Sequence, residues 1–198
     1  MFFFGHIGIG KRLVNLLTRE IPSTALIVGT LLPDLIDKPL YYSLYFLTGK
    51  HGKELGLISG SRTFGHTAIF VLLLTLGSCW RKSRFLLALS IGAATHLIVD
   101  SLGDCFGEAL GIPLHSGAST FLDGTRSALL WPFTGWDFPY MPFATLSEHL
   151  STFDRPWIFW GEIIGLCLLV SDYLHGEFKY GPAKNNSNSS QSQAGEIL

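Results

Sequence analysis

His96 and Asp100 lie one helical turn apart inside the apolar run Phe85–Leu102, which holds no other ionisable residue. A spacing of i, i+4 sets imidazole and carboxylate on one face of a helix. Together they offer two ligands to one hard or borderline divalent cation. Ionisable groups are expensive at such depth unless they face a polar interior, so the pair marks a functional site.

Further ligand-type side chains surround this pair in the sequence. Asp34 and Asp37 interrupt an earlier apolar segment between Pro33 and Pro39. The prolines are expected to break that helix and free backbone carbonyls beside protein or a polar cavity. Asp34 alone also fits a helix cap or Asx turn; the second carboxylate at i+3 favours ligands. His66 opens the apolar segment that the turn Arg81-Lys82-Ser83-Arg84 joins to the next. It lies ~15 residues before that turn and His96 ~12 after it, so an antiparallel hairpin places both at similar depth. His6, between Gly5 and Gly8, begins on the opposite side and joins only if the N-terminal segment dips into the bundle. Arg62 and Arg126 suit an anionic oxygen of a substrate, or equally lipid headgroups, and Lys38 shares that ambiguity. Glu162 reads as a snorkelling residue near a helix end. His51, His115, His149 and His175 show no ligand spacing.

These residues need elements to hold them. Mean hydropathy is +0.35, and only 15% of the 198 residues are charged. Such values point to a membrane protein. A net charge of −1 argues against nucleic acid as a partner. Four apolar segments, Ile21–Leu47, Phe64–Trp80, Phe85–Leu102 and Trp157–Tyr173, approach the ~20 residues that cross ~30 Å of hydrocarbon. Too little polar sequence remains to cover them as the core of a soluble protein. Phe2–Glu20 reads as a short amphipathic helix, with Phe3, Ile7, Leu13, Leu16 and Leu17 against Lys11, Arg12 and Arg19. The expected fold is therefore all-α: an integral membrane bundle of about four spans, the N-terminal helix and an irregular cap over 103–156. Residues 1–180 form the membrane-embedded domain, and 181–198 read as a disordered tail.

Basic residues before the first span, in the Arg81–Arg84 turn and after the last span put one side in the cytoplasm. The loop Thr48–Thr63 still carries Lys50, Lys53 and Arg62 on the other side. The basic pair Lys11-Arg12 follows the first apolar stretch, unlike a conventional signal peptide. Cys79, Cys105 and Cys167 lack metal or disulfide spacing and read as packing residues. HExxH, GxSxG and Walker patterns are absent, so hydrolysis here would need a metal-bound water.

Gly5-His6, Gly29-Thr30-Leu31-Leu32-Pro33-Asp34-Leu35-Ile36-Asp37, Arg62-Thr63-Phe64-Gly65-His66-Thr67, His96-Leu97-Ile98-Val99-Asp100 and Leu129-Leu130-Trp131-Pro132-Phe133 follow one another in a characteristic order. Over roughly residues 5 to 138 the chain resembles the YdjM-type membrane-bound metal-dependent hydrolases. Ser61 and Gly65 stand where that family usually has histidine and threonine. The layout is also similar to the multi-zinc phospholipase C and S1/P1 nuclease group, although the later HxxxE pair of that group has no counterpart.

The resemblance implies the bacterial inner membrane and one or two divalent ions, zinc foremost. It implies Asp100 as a bridge, with His66, His96 and Asp34 or Asp37 on one ion and His6 on a second. Asp37, Arg62 and Arg126 would then serve catalysis on a phosphate ester or lipid-derived substrate, with membrane lipid as the other partner. Two rival readings stand beside it. In one, the residues conduct ions or protons as part of a transporter. In the other, polar groups or a metal merely tie helices together.

Overall fold

Thr67 begins the helical hairpin: its hydroxyl accepts a hydrogen bond from the Phe70 N–H at 3.0 Å and caps helix α3, Ala68–Arg81. Lys82 turns the chain with φ of 48°, and the Ser83 hydroxyl accepts from Leu86 N–H at the start of α4, Arg84–Ala109. Thr75 and Ser90 hydroxyls meet at 2.6 Å between the two helices. The hairpin predicted from the basic turn is present.

The computed structural model describes residues 3–17, 21–109, 128–138 and 146–175. Arg126 and the segment 181–198 lie outside these residues. In chain order the helices are α1 (Phe3–Leu17), α2 (Ser23–Thr48), α3, α4, α5 (Leu146–Ser151) and α6 (Pro156–Leu174). Short 3-10 turns occur at Gly52–Leu55, Phe64–His66 and Thr152–Asp154. No strand occurs among the described residues, so the all-α class holds.

α2 corrects one expectation. It runs unbroken through Pro33 and Pro39 over 26 residues. Each proline removes one N–H from the ladder, but contacts with α4 hold the axis. Gly29 and Gly92 make that approach possible: a side chain at Gly29 would strike the Leu89 backbone, and one at Gly92 the backbone of Leu26 and Gly29. Small residues at a helix crossing are the usual device for close packing in a membrane.

α1 corrects another. Its buried face is Gly5, His6, Gly8, Gly10 and Lys11 with Ile7 and Val14, whereas Phe3, Phe4, Leu13 and Leu16 are exposed. The small and polar residues face inward, the orientation favoured when the surroundings are hydrocarbon rather than water. α1 runs parallel to α6. Gly8 meets Gly165 backbone to backbone, and Lys11 Nζ pairs with Asp172 at 2.7 Å. Glu162 does not snorkel. It is buried, and its carboxylate accepts from Phe4 N–H at 2.7 Å and Gly5 N–H at 3.2 Å. A carboxylate there satisfies the orphan donors of a helix start and complements its dipole.

Among the described residues, two helices are long and apolar enough to cross a membrane: Arg84–Cys105 and Pro156–Leu174. α3 is apolar but only 14 residues long. Leu72, Leu73, Leu76, Ile98, Ile164 and Val170 stand exposed on these helices.

Candidate metal centre

Asp37 organises the loop before α3. Its carboxylate accepts from Thr63 N–H (2.7 Å), Thr63 Oγ1 (2.9 Å), Gly65 N–H (2.9 Å), His66 N–H (3.2 Å) and His66 Nδ1 (2.7 Å). Both oxygens are thus occupied, and Asp37 positions His66. Gly65 lies so close to α2 that a Cβ would come within 2.7 Å of the Pro33 carbonyl and 3.2 Å of Asp37. A side chain at Gly65 would therefore displace α2 or Asp37.

His96 is fixed in the same way from α2. Its Nδ1 donates to the Thr30 carbonyl of α2 at 2.7 Å. The two imidazoles therefore present Nε2 to each other, 3.3 Å apart. Asp34 Oδ1 lies 3.6 Å from His66 Nε2 and 3.8 Å from His96 Nε2. Asp100 Oδ2 lies 3.6 Å and 3.7 Å from the same two atoms. Ligand bonds of ~2.0–2.1 Å to a tetrahedral zinc set its donor atoms about 3.3 Å apart. In the quartet Asp34, His66, His96 and Asp100, each carboxylate oxygen lies 3.6–3.8 Å from both Nε2 atoms, somewhat wider than that spacing.

Each carboxylate of the quartet also meets a cation. Lys38 Nζ holds Asp34 Oδ2 at 2.6 Å. Arg62 Nη2 holds Asp100 Oδ2 at 2.9 Å, and its Nη1 contacts Asp104 Oδ2. Burial opposes the charge on Arg62, but Asp100 and Asp104 outweigh it and hold the guanidinium above its ordinary pKa. His6 joins the site after all, because α1 lies inside the bundle. Its Nε2 is 3.2 Å from Asp100 Oδ1, and its ring stacks on His96 at 3.9 Å.

His6, His96 and Asp100 form a second possible ligand group that shares His96 with the group of Asp34, His66 and His96. His96 has Nδ1 committed to Thr30, so it has one nitrogen for an ion, not two.

A cleft reaches the centre between Arg62, His66, Leu97, Asp100, Ser101, Ala128 and Leu129. Beside it, the aromatic residues Phe64, Trp131 and Phe138 pack in edge-to-face and stacked contacts. At the Asp34 side, α5 brings His149 onto α2, with Nδ1 3.0 Å from the Tyr42 hydroxyl. Burial, with the charge of Lys38, pushes the His149 pKa down to about 3.

Seven sequence-predicted residues converge: His6, Asp34, Asp37, Arg62, His66, His96 and Asp100. Asp104 and His149 were not among them. Asp104 continues the i, i+4 series of His96 and Asp100 by one more turn, a signal visible in the sequence. His149 carries no such spacing; only the return of α5 over α2 places it.

Two helices of lipid-spanning length and a buried His, Asp and Arg cluster fit an integral membrane protein with a polar interior site. The chain belongs to the YdjM inner membrane protein family, whose family model matches residues 1–177. It is accordingly a protein of the inner membrane. No curated protein and no solved structure matched the chain.

Proposed function

We propose that the chain is a membrane-embedded metal-dependent hydrolase of phosphate esters. One divalent ion, zinc by the nature of the donors, is held by Asp34, His66, His96 and Asp100, and α2 and α3 complete four spans. One observation carries this reading: the facing Nε2 atoms of His66 and His96. Both rings donate Nδ1–H to oxygens that can only accept, so in their neutral forms both Nε2 atoms present lone pairs. Two lone pairs at 3.3 Å repel unless a proton or a metal ion lies between them.

Charge balance supports the same reading. Lys38 and Arg62 lie against the carboxylates Asp34, Asp100 and Asp104, and Asp37 meets His66, so acidic groups gather where desolvation is severe. A divalent ion would offset charge in this cluster. Held by these residues, such an ion would supply an acidified water and counter-charge for phosphoryl oxygens. The chain's own groups do the positioning. Asp37 and Thr30 fix the imidazoles, Lys38 fixes Asp34, and His6 fixes Oδ1 of Asp100. The apolar walls Leu97, Ala128 and Leu129 suit an ester with a lipid-like portion, and membrane lipid is the expected surrounding partner.

A transporter reading needs titratable groups strung across the bilayer. The seven site residues instead form a single cluster, apart from the buried Lys11–Asp172 pair. Metal analysis of protein prepared with ample zinc tests the proposal. Wild type should hold about one equivalent per chain, and His96→Ala and Asp100→Ala near none. Equal, near-zero metal in all three would refute it. Metal retained without turnover of any phosphate mono- or diester would favour a metal-stabilised, non-enzymatic bundle.

A further inference from the structure

Arg62 contacts two carboxylates at once, and they are not equivalent. Asp100 Oδ2, 2.9 Å from Nη2, also faces both histidine Nε2 atoms. Asp104, on the next turn of α4, touches Nη1. The guanidinium borders the cleft together with Asp100 and Ser101. With both ends on carboxylates, the guanidinium already has its charge matched, which disfavours an incoming anion. An ion drawing on Asp100 Oδ2 competes with Nη2 for the same lone pairs and adds two positive charges beside it.

We infer that Arg62 and Asp104 form a metal-gated clamp for a phosphate group. Asp104 tethers the guanidinium at the cleft, and occupation of the metal centre turns its Nη2 edge from Asp100 toward an oxyanion. The guanidinium fork suits phosphate geometry. Asp104 is thus a positioning residue, acting through Arg62. The inference rests on the proposed metal centre and adds an order of binding: metal first, anion second. Linkage makes the effect reciprocal, so phosphate must tighten the metal by the factor with which metal tightens phosphate.

Inorganic phosphate binding to the full chain in detergent, measured by calorimetry with and without zinc, tests the clamp. Wild type should bind phosphate at least tenfold more tightly with zinc, and Arg62→Gln should lose this gain while keeping its zinc. In Asp104→Asn the guanidinium leans wholly on Asp100 and competes with the ion, so zinc affinity should fall about tenfold. Adding Arg62→Gln to that variant should restore it, a rescue that a merely structural Asp104 would not give. Phosphate affinity independent of zinc in a zinc-loading protein would overturn the clamp alone. Failure of wild type to bind zinc would overturn the centre and the clamp together. Displacement of bound phosphate by short-chain phosphatidic acid, but not by a soluble sugar phosphate, identifies a lipid headgroup as the source; the reverse identifies a soluble ester. Displacement by neither overturns the clamp.

Discussion

His66 and His96 turn their Nε2 atoms toward each other across 3.3 Å, while Asp37 and the Thr30 carbonyl hold their Nδ1 atoms. The pairing separates two kinds of residue around one centre. His66→Ala and His96→Ala remove donors and should abolish metal binding. Asp37→Asn leaves every donor in place but loosens His66 and the loop at Thr63 and Gly65, so metal affinity should fall ~10–100-fold, the usual effect of losing an outer-shell partner. Competition with a chromogenic chelator measures the difference. Equal, complete loss in Asp37→Asn and His66→Ala, with both variants folded, would place Asp37 among the ligands.

Much of this centre was legible in the sequence because membrane burial makes each ionisable residue conspicuous. The hairpin turn fixed the relative depth of His66 and His96, and the i, i+4 step fixed Asp100 beside His96. The role of Asp37 was not legible. Nothing in its spacing from Asp34 says that Thr63, Gly65 and His66 would saturate it. Helix α1 was misread for a physical reason. Amphipathicity in water puts apolar residues inward, whereas here Phe3, Phe4, Leu13 and Leu16 face out and His6 and Lys11 face in. With that orientation unknown, His6 lay on the wrong side of the membrane. Pro33 and Pro39 were read as breaks because their effect on a helix is local, while the α2–α4 contacts that keep it continuous are not.

The α1–α6 interface should be sensitive to volume rather than polarity. Gly8 and Gly165 meet backbone to backbone, with Gly165 also against Phe4 and Gly5. Gly165→Leu must separate the helices, which pulls His6 from Asp100 and the α1 start from Glu162. Overpacking of this kind typically costs 1–3 kcal/mol. Thermal unfolding in detergent should show the loss, and metal affinity should fall with it. A variant as stable as wild type would show that α1 is not held as described.

Lys11 and Asp172 are both fully buried and lie 2.7 Å apart, with Arg12 3.4 Å from the second oxygen. Lys11→Met strands a buried carboxylate, which typically costs about 3–5 kcal/mol. Arg12 is positioned to recover part of that. Lys11→Met with Asp172→Leu removes both charges and should be more stable than Lys11→Met alone. Denaturation midpoints of the two variants settle the order, and a double variant less stable than the single one would contradict it.

The docking of α5 should weaken in acid. His149 faces the Tyr42 hydroxyl and the charge of Lys38 on α2, with Asp34 and Arg62 acting on it from farther off. Burial first, then Lys38, lowers its pKa from 6.5 to about 3. Between those values an undocked His149 binds a proton that the docked one refuses, so docking strengthens as pH rises through this window and is lost as pH falls through it. From pH 7 to pH 5 the loss approaches about 2 kcal/mol, one and a half pH units below the free pKa. Hydrogen exchange, corrected for its intrinsic pH dependence, should show the Leu146–Ser151 amides losing protection at pH 5. His149→Phe keeps an aromatic ring on Tyr42 without the titrating nitrogen and should make protection independent of pH. A pH response that survives in His149→Phe would trace the effect to another group.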